Sequence, residues 1–239
     1  MSTRPGPRTI TTVILFALAV AGCSSTDSDT STTEDLRGNT VTALDFPRTV
    51  FDGWEITDPA ERPISVIPAI VAAAGTSDGL VYSPAECGPG GDRGVAMWAT
   101  ARGGNSWAGQ VGENPHTGRS FSTVIATASD NSLNAVTDFA QTCSRYTVTG
   151  GGKTVDVVTE VNNEEPLKYG LSDARLFTTT AIVEGSGPQV HSTLTGVGHS
   201  DGRVLVGQFT TTGRIEGSTI NVAGNWWNIT ATKASTAAN

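Results

Sequence analysis

The sequence predicts one α+β domain, with a twisted antiparallel sheet of five to seven strands and two or three helices packed on one side. Three observations lead to this class. Thr, Ser, Gly, Ala and Val are abundant and only 16% of the residues are charged, which favours strands and turns over long helices. Extended stretches separated by turn residues recur between positions 145 and 210, and a few segments carry apolar residues at helical spacing.

Residues 1–22 have the composition of a signal peptide. Arg4 and Arg8 precede the nine-residue apolar run 13–21, far shorter than the about 20 residues that cross a bilayer as a helix. Val20-Ala-Gly-Cys23 follows and resembles a bacterial lipobox, which implies cleavage before Cys23 and lipid attachment to its sulfur. We therefore expect a protein held on the extracytoplasmic face of the cell membrane by acyl chains on Cys23.

Residues 23–40 are predicted to be a disordered tether. Leu36 is the one apolar side chain of any size between positions 24 and 40, so this segment buries too little surface to offset its ordering entropy. The globular domain is then expected to span residues 41–235.

The first half of the domain is predicted to contain two helices and two strands. The Ala-rich run 67–74 ends at Gly75 and is typical of a short helix, while 94–102 and 120–128 have the composition of strands. A Gly- and Asn-rich loop is expected over 103–119. Residues 130–142 are predicted to form the second helix, capped by Asp130 or Ser132.

The second half is predicted to be mostly strands. Extended stretches cover 145–149, 154–161 and 175–184, and a hairpin pairs 190–197 with 203–210 through Gly198-His-Ser-Asp-Gly202. A terminal helix is expected over 218–233. Because neighbours on a helix are ~100° apart, Trp226 and Trp227 are not expected to face the core together.

Cys87 and Cys143 remain as an even pair after lipidation of Cys23. In an oxidising compartment they are expected to form a disulfide that stabilises the domain by roughly 4 kcal/mol; the alternative is two buried thiols. The two cysteines and three scattered histidines do not have the paired spacing of a zinc site, and we predict neither a metal nor a cofactor.

Charge limits the partner classes. The net charge is −8, and the predicted cleavage removes Arg4 and Arg8 but no acidic residue. Nucleic acid and anionic lipid headgroups both need clustered Lys and Arg, so neither is an expected partner.

Two G-x-S-x-G segments, with serines Ser77 and Ser200, match a serine-hydrolase pattern. That pattern requires a strand-to-helix turn and a later histidine, whereas each serine precedes an extended stretch and His199 is the last histidine. Both are therefore interpreted as turns, and the protein is predicted not to be an enzyme.

Trp107 and Trp227 are the candidate contacts for a ligand or partner. Trp107 lies among Gly and Asn residues, where loop aromatics often bind ligands, and Trp227 is the expected exposed member of its pair. The alternative for Trp107 is a lid that folds back over the sheet.

Several features together resemble mycobacterial-type envelope lipoproteins of unknown function: the lipobox, the tether, the Pro84-x-x-Cys87 turn, a helix running into Cys143 and a terminal amphipathic helix. These proteins are similar to the extracellular sensor domain of mycobacterial serine/threonine kinases. The resemblance covers about residues 41–235 and implies a twisted antiparallel sheet flanked by helices around a cleft. This chain has one cysteine pair where sensor domains usually have two.

The predicted function is a non-catalytic domain that binds an unknown envelope ligand or protein through a cleft near Trp107. Such a site should be an apolar pocket with few titratable groups. The alternatives are a lipid or glycolipid carrier, which requires a closed apolar cavity, and a serine hydrolase that uses Ser200 or Ser77.

Overall fold

The computed structural model describes residues 36–59, 61–63, 66–128, 132–162, 170–184 and 189–236. The predicted signal peptide, Cys23 and residues 24–35 of the predicted tether lie outside the described residues.

Nine strands form one antiparallel sheet, in the order β1-β3-β4-β9-β8-β7-β6-β5-β2. Their bounds are β1 Glu55–Thr57, β2 Val81–Ser83, β3 Trp107–Asn114, β4 Arg119–Thr127, β5 Arg145–Gly150, β6 Lys153–Val161, β7 Asp173–Val183, β8 Gln189–Ser200 and β9 Arg203–Thr212. The α+β class is confirmed, but the prediction of five to seven strands is wrong because β1, β2 and β3 were not recognised.

Helices cover both faces of the sheet. They are α1 Arg48–Phe51, α2 Pro68–Ala74, α3 Asp92–Arg102, α4 Asn134–Thr142 and α5 Ser218–Thr236, with a 3-10 turn at Ala85–Cys87. Helices α2, α3 and α4 pack on one face, here the α2 face, and α5 packs with residues 36–51 on the other, the α5 face. The prediction of two or three helices on one side of the sheet is therefore wrong both in the number of helices and in their placement.

Two apolar cores explain this arrangement. Along β9, Val204 and Val206 point into the core of the α2 face, whereas Leu205 and Phe209 point into the core of the α5 face. Because successive side chains of a strand alternate between faces, a strand that is apolar on both must be covered on both.

The predicted strand 94–102 is helix α3. Its buried residues are Gly94, Met97, Trp98 and Ala101, which follow the i, i+3, i+4, i+7 spacing of a helix face. The predicted loop 103–119 is also wrong, because Trp107–Asn114 forms β3 and pairs along its length with β4.

Both tryptophans of α5 are buried: Trp226 is 0% exposed and Trp227 is 1% exposed. Gly196 and Gly207 are partners across β8 and β9. A Cβ on Gly196 would lie 2.3 Å from Trp227 Cζ3, and one on Gly207 would lie 2.6 Å from Trp226 Cη2. The missing side chains leave a depression that receives both indoles, so the expectation that one tryptophan is exposed is wrong.

Folded structure begins before the predicted boundary at residue 41. Leu36 is 2% exposed within the α5-face core. The side-chain amide of Asn39 donates to the Ala234 carbonyl at 3.0 Å, and Gln110 Nε2 donates to Thr40 Oγ1 at 2.9 Å. Residues 36–40 therefore belong to the domain rather than to the tether.

Other local predictions are confirmed. Gly75 ends α2 in the left-handed conformation, at φ 75°. The β8–β9 hairpin turns through Asp201 and Gly202, both with positive φ. Cys87 and Cys143 form a disulfide, with Cα atoms 5.7 Å apart, which ties the turn before α3 to the end of α4.

Candidate functional site

An open cleft of about 390 Å³ lies on the α2 face, between the edge of α2 and the ends of β4, β8 and β9. This volume falls within the range of small-molecule sites. The cleft is lined by Pro63, Val66, Pro68, Val71, Ala72, Gly118, Ser120, His191, Thr210, Thr211 and Thr212.

One wall of the cleft is aliphatic. It consists of Pro63 and Val66, which precede α2, and of Pro68, Val71 and Ala72 within the helix. Pro68 occupies the first helical position, where its missing N–H costs nothing and its fixed φ suits the helix. The helix therefore brings a short row of apolar side chains to the rim of the sheet.

The floor of the cleft is the end of a row of hydroxyl side chains. Successive cross-strand partners on the α2 face are Thr159, Thr179, Thr193, Thr210 and Ser120. Thr193 Oγ1 and Thr210 Oγ1 share a hydrogen bond at 2.9 Å, and the backbone N–H of Ala69 donates to Thr193 Oγ1 at 3.0 Å. The row thus fixes the start of α2 and reaches the cleft at Thr210 and Ser120.

Polar groups continue inward from the floor. Gln208 and Thr195 are cross-strand partners, and Gln208 lies two residues before Thr210 on the same face of β9. Gln208 Nε2 donates to the Val66 carbonyl at 3.2 Å. Gln208 Oε1 and Thr195 Oγ1 are buried and have no hydrogen-bond partner among the described residues.

His191 is the titratable residue that lines the cleft. Partial burial and the positive charge of Lys153 lower its pKa below the ordinary value of 6.5. Lys153 Nζ donates to the Ala73 carbonyl near the end of α2, at 3.3 Å. The imidazole is therefore neutral at pH 7, and the cleft lining carries no formal charge.

Trp107 does not line this cleft. It is the first residue of β3 and packs half-buried against the α2-face core. The Arg62 guanidinium lies 5.5 Å from the centre of its ring and donates to the carbonyls of Arg102 and Gly104 at 2.6 and 2.8 Å. Arg62 thus covers Trp107 and holds it between the segment before α2 and the end of α3.

Trp227 offers no accessible surface for a ligand. Its indole lies in the depression at Gly196, beneath α5. The prediction that Trp227 contacts a partner is wrong for this reason.

The two serine motifs occupy turns. Ser200 is the last residue of β8 and leads into another strand, and Ser77 lies in an exposed bend between α2 and β2. Neither stands at the strand-to-helix turn that a nucleophile elbow requires. Lys153 follows the tight β5–β6 turn through Gly151 and Gly152 and is the first residue of β6.

A second open cleft, of about 350 Å³, lies on the outer side of α5. It is lined by Asp45, Asn228, Ile229, Thr232, Lys233 and Thr236. Lys233 Nζ pairs with Asp45 Oδ1 at 3.2 Å. Burial alone would raise the pKa of Asp45, but hydrogen bonds from Thr42 and the pairing with Lys233 lower it. The charged side chains of Asp45 and Lys233, which line the second cleft, are therefore already paired with each other.

Within the ranges that the structure describes, no three His, Cys, Asp or Glu residues come together to hold a metal ion. In the same ranges, no helix combines the length and apolar character needed to cross a membrane.

Sequence reasoning missed the cleft residues. Thr210 was interpreted only as the end of a strand, and Ser120 as the start of another, while Thr211 and Thr212 were given no role. The available signal was the alternation of Thr and Ser on strands whose other residues are apolar, which indicates a polar stripe across one face.

No protein-family model and no curated protein matches the chain. Among solved structures, it is similar to the extracellular domain of PknH from Mycobacterium tuberculosis, with a TM-score of 0.48 and 14% identity over 86% of this chain and 95% of that chain. It is also similar to an uncharacterized protein from Mycobacterium smegmatis, an ortholog of Rv0999, with a TM-score of 0.36 and 15% identity over 87% and 98% of the two chains. The predicted similarity to the extracellular domain of a mycobacterial kinase is confirmed at this structural level.

Proposed function

We propose that the protein is a cell-envelope lipoprotein whose domain binds a ligand, without catalysis, in the cleft beside α2. One observation carries the proposal: an apolar wall and a hydroxyl floor enclose a cleft of about 390 Å³, and His191 is the one titratable residue among the described residues of the lining. A wall of this kind gives affinity by burying apolar surface, and a few placed hydroxyls give specificity.

The absence of paired acid–base groups in the lining favours binding over catalysis. A general acid and base must both lie within hydrogen-bond reach of a reacting group, and the cleft supplies a single imidazole for that purpose.

Residues 1–23 support export and anchoring. The charged start, the short apolar run and Cys23 together fit a lipoprotein signal, and a disulfide between Cys87 and Cys143 suits an oxidising compartment. Acyl chains on Cys23 would then hold the domain on the extracytoplasmic face of the cell membrane.

Protein-observed NMR with a library of small fragments tests the binding site. Fragments are expected to shift backbone resonances of Val71, Ala72, Ser120 and Thr211. Ala72→Trp, which fills the exposed rim of the wall, should abolish those shifts. Shifts that cluster instead around Asp45 and Lys233 would contradict the proposal.

Metabolic labelling with an alkyne palmitate analogue tests anchoring. Wild-type protein should be tagged and found with membranes. The Cys23→Ser variant should carry no tag and should not be found with membranes. A tag that persists in Cys23→Ser, or a wild-type protein without one, would contradict lipidation at this residue.

A further inference from the structure

We propose that the cleft beside α2 takes a neutral polyhydroxylated ligand of sugar size, and that one ligand hydroxyl donates a hydrogen bond to Gln208 Oε1. The proposal rests on the proposed function, because it names the ligand class of that same cleft.

The lining selects against charge. Among the described residues that line the cleft, none carries a carboxylate, ammonium or guanidinium group. An ionised ligand would lose water there without an ion-pair partner among the described lining residues, which is far more costly than burying a neutral hydroxyl that finds a partner. His191 does not change this conclusion, since burial and the nearby Lys153 lower its pKa and keep it neutral at pH 7.

The two surfaces of the cleft match the two surfaces of a sugar. Ser120, Thr210 and Thr212 share the α2 face and line the floor, and each hydroxyl both donates and accepts a hydrogen bond. Ligand hydroxyls have the same dual character, so the floor can pair with them in either direction. The opposite aliphatic wall offers dispersion contacts to the C–H face of a pyranose ring.

Gln208 marks the inner end of this surface. Its side chain is 1% exposed, and it lies about 7 Å along β9 from Thr210, which lines the cleft, on the same face of the sheet. Its Nε2 group is bound to the carbonyl of Val66, itself a lining residue. The amide is therefore tied to a residue of the lining, with Nε2 donating to Val66 and Oε1 without a partner among the described residues.

The neighbouring hydroxyl strengthens this point. Thr195 is 0% exposed, lies directly across from Gln208, and its Oγ1 also has no partner among the described residues. An unpaired buried acceptor is unfavourable, because it has lost its hydrogen bonds to water and gained none in exchange. Two such groups side by side, behind an open cleft, indicate a position that an external polar group fills.

The test is a titration of the 15N-labelled full-length protein with sucrose, maltose and lactose, alongside glucuronate and glucosamine. The neutral sugars should bind in the millimolar range or tighter and shift the side-chain amide signal of Gln208. That signal is assigned by its loss in Gln208→Met. The signal of Gln110 should stay in place.

Gln110→Met is the matched control. Gln110 is equally a buried amide whose Nε2 is bound and whose Oε1 has no partner in the described part of the chain, but it lies on the α5 face. Gln208→Met should weaken sugar binding roughly fivefold or more, the loss of one hydrogen bond. Gln110→Met should leave the affinity unchanged. Thermal unfolding of both variants checks that they fold. Ser120→Ala, at the outer part of the cleft floor, should independently weaken sugar binding about twofold.

Three results would overturn the proposal: no neutral sugar binds, the charged sugars bind equally well, or Gln208→Met and Ser120→Ala both keep wild-type affinity. If fragments still occupy the cleft, the proposed function stands: in the first two cases the ligand class is wrong, and in the third the contacts with Gln208 and Ser120 are wrong. If fragments bind elsewhere, the proposed function itself fails.

Discussion

Gly196 lies directly opposite Gly207 across β8 and β9, and this pair forms the depression in which Trp227 and Trp226 are buried. Phe121 and Phe209 pack on Trp226 with ring centres 6.0 and 5.9 Å away, so the depression is also the centre of the α5-face aromatic cluster. The position of α5 therefore depends on two residues that have no side chain.

Gly196→Ala should destabilise the domain by about 1–3 kcal/mol, because the added methyl would lie 2.3 Å from Trp227 Cζ3 in a packed core. Denaturant unfolding measures the change. Gly224→Ala is the control: it lies within α5 with nothing within 4 Å of the new Cβ, and should stabilise by about 0.5–1 kcal/mol. Equal effects from the two alanines would mean that α5 does not rest on Gly196.

Replacing both Cys87 and Cys143 by alanine should destabilise the domain by about 2–5 kcal/mol. The bond joins residues 56 positions apart and links the turn before α3 to the end of α4, so its loss frees a long loop in the unfolded chain. Unfolding with and without reductant measures this change. The double variant should be insensitive to reductant, and a wild-type midpoint that reductant leaves unchanged would show that the bond contributes nothing.

Thr193→Val should cost about 1–3 kcal/mol, because it leaves the N–H of Ala69 buried without an acceptor and removes the partner of Thr210. Hydrogen exchange at Ala69 should also accelerate. Thr178→Val is the control, because Thr178 lies in the neighbouring strand β7 and on the α5 face of the sheet. It should change stability by no more than about 0.5 kcal/mol. Unchanged exchange at Ala69 in Thr193→Val would contradict the role of this hydroxyl in fixing α2.

Stability should fall as the pH is lowered from about 6.5 to 5, because of His191. Its pKa is lowered in the folded domain by burial and by the charge of Lys153, so in this window the unfolded chain binds more protons than the folded one. The carboxylate of Asp45 titrates below this window, because its pKa is lowered from the ordinary value of 3.8 in the folded domain. Urea unfolding at several pH values should therefore show a slope that His191→Gln reduces. An unaltered slope in His191→Gln would refute the assignment.

Arg62→Ala should expose Trp107 to solvent. The guanidinium lies over the indole ring, and such contacts contribute about 0.5–1 kcal/mol at exposed sites. Quenching of tryptophan fluorescence by iodide should increase in Arg62→Ala. The same change in a Trp107→Phe background should have no effect on quenching, because the other tryptophans lie elsewhere. An equal increase in both backgrounds would assign the exposure to a different tryptophan.

The sequence-based prediction worked best where one local signal decided the structure. Gly75 ends α2 because a left-handed residue suits a helix terminus, and Asp201-Gly202 turns the β8–β9 hairpin. Local composition was enough in these places, and the same is true of the strands from β5 to β9.

Prediction failed where distant residues determine the structure. In β3, Gly112 is a residue typical of loops, yet a Cβ there would lie 2.3 Å from Phe121 Cε1. The glycine is therefore needed to make room for the ring of Phe121 on the neighbouring strand β4. For Trp226 and Trp227, the angle of ~100° between neighbouring helix residues was correct. The prediction failed because it assumed that the helix packs on a flat sheet, whereas Gly196 and Gly207 leave a depression that holds both side chains. In α3, by contrast, the buried spacing of Met97, Trp98 and Ala101 was visible and was misread as a strand.

The candidate site was harder still to predict. Ser120, His191 and Thr210 come from three strands, and only the sheet register brings them to one cleft. Trp107 drew attention as an isolated aromatic residue, whereas the partner that covers it, Arg62, is 45 positions earlier in the chain.

The start of the folded chain has a geometric consequence for a protein anchored through Cys23. Leu36 belongs to the core beneath α5, on the opposite side of the sheet from the cleft beside α2. Twelve residues, 24–35, separate it from Cys23 and reach at most about 40 Å. Such an anchor would therefore be attached on the α5 side of the sheet, and its length would leave the cleft beside α2 free to face away from the lipid surface.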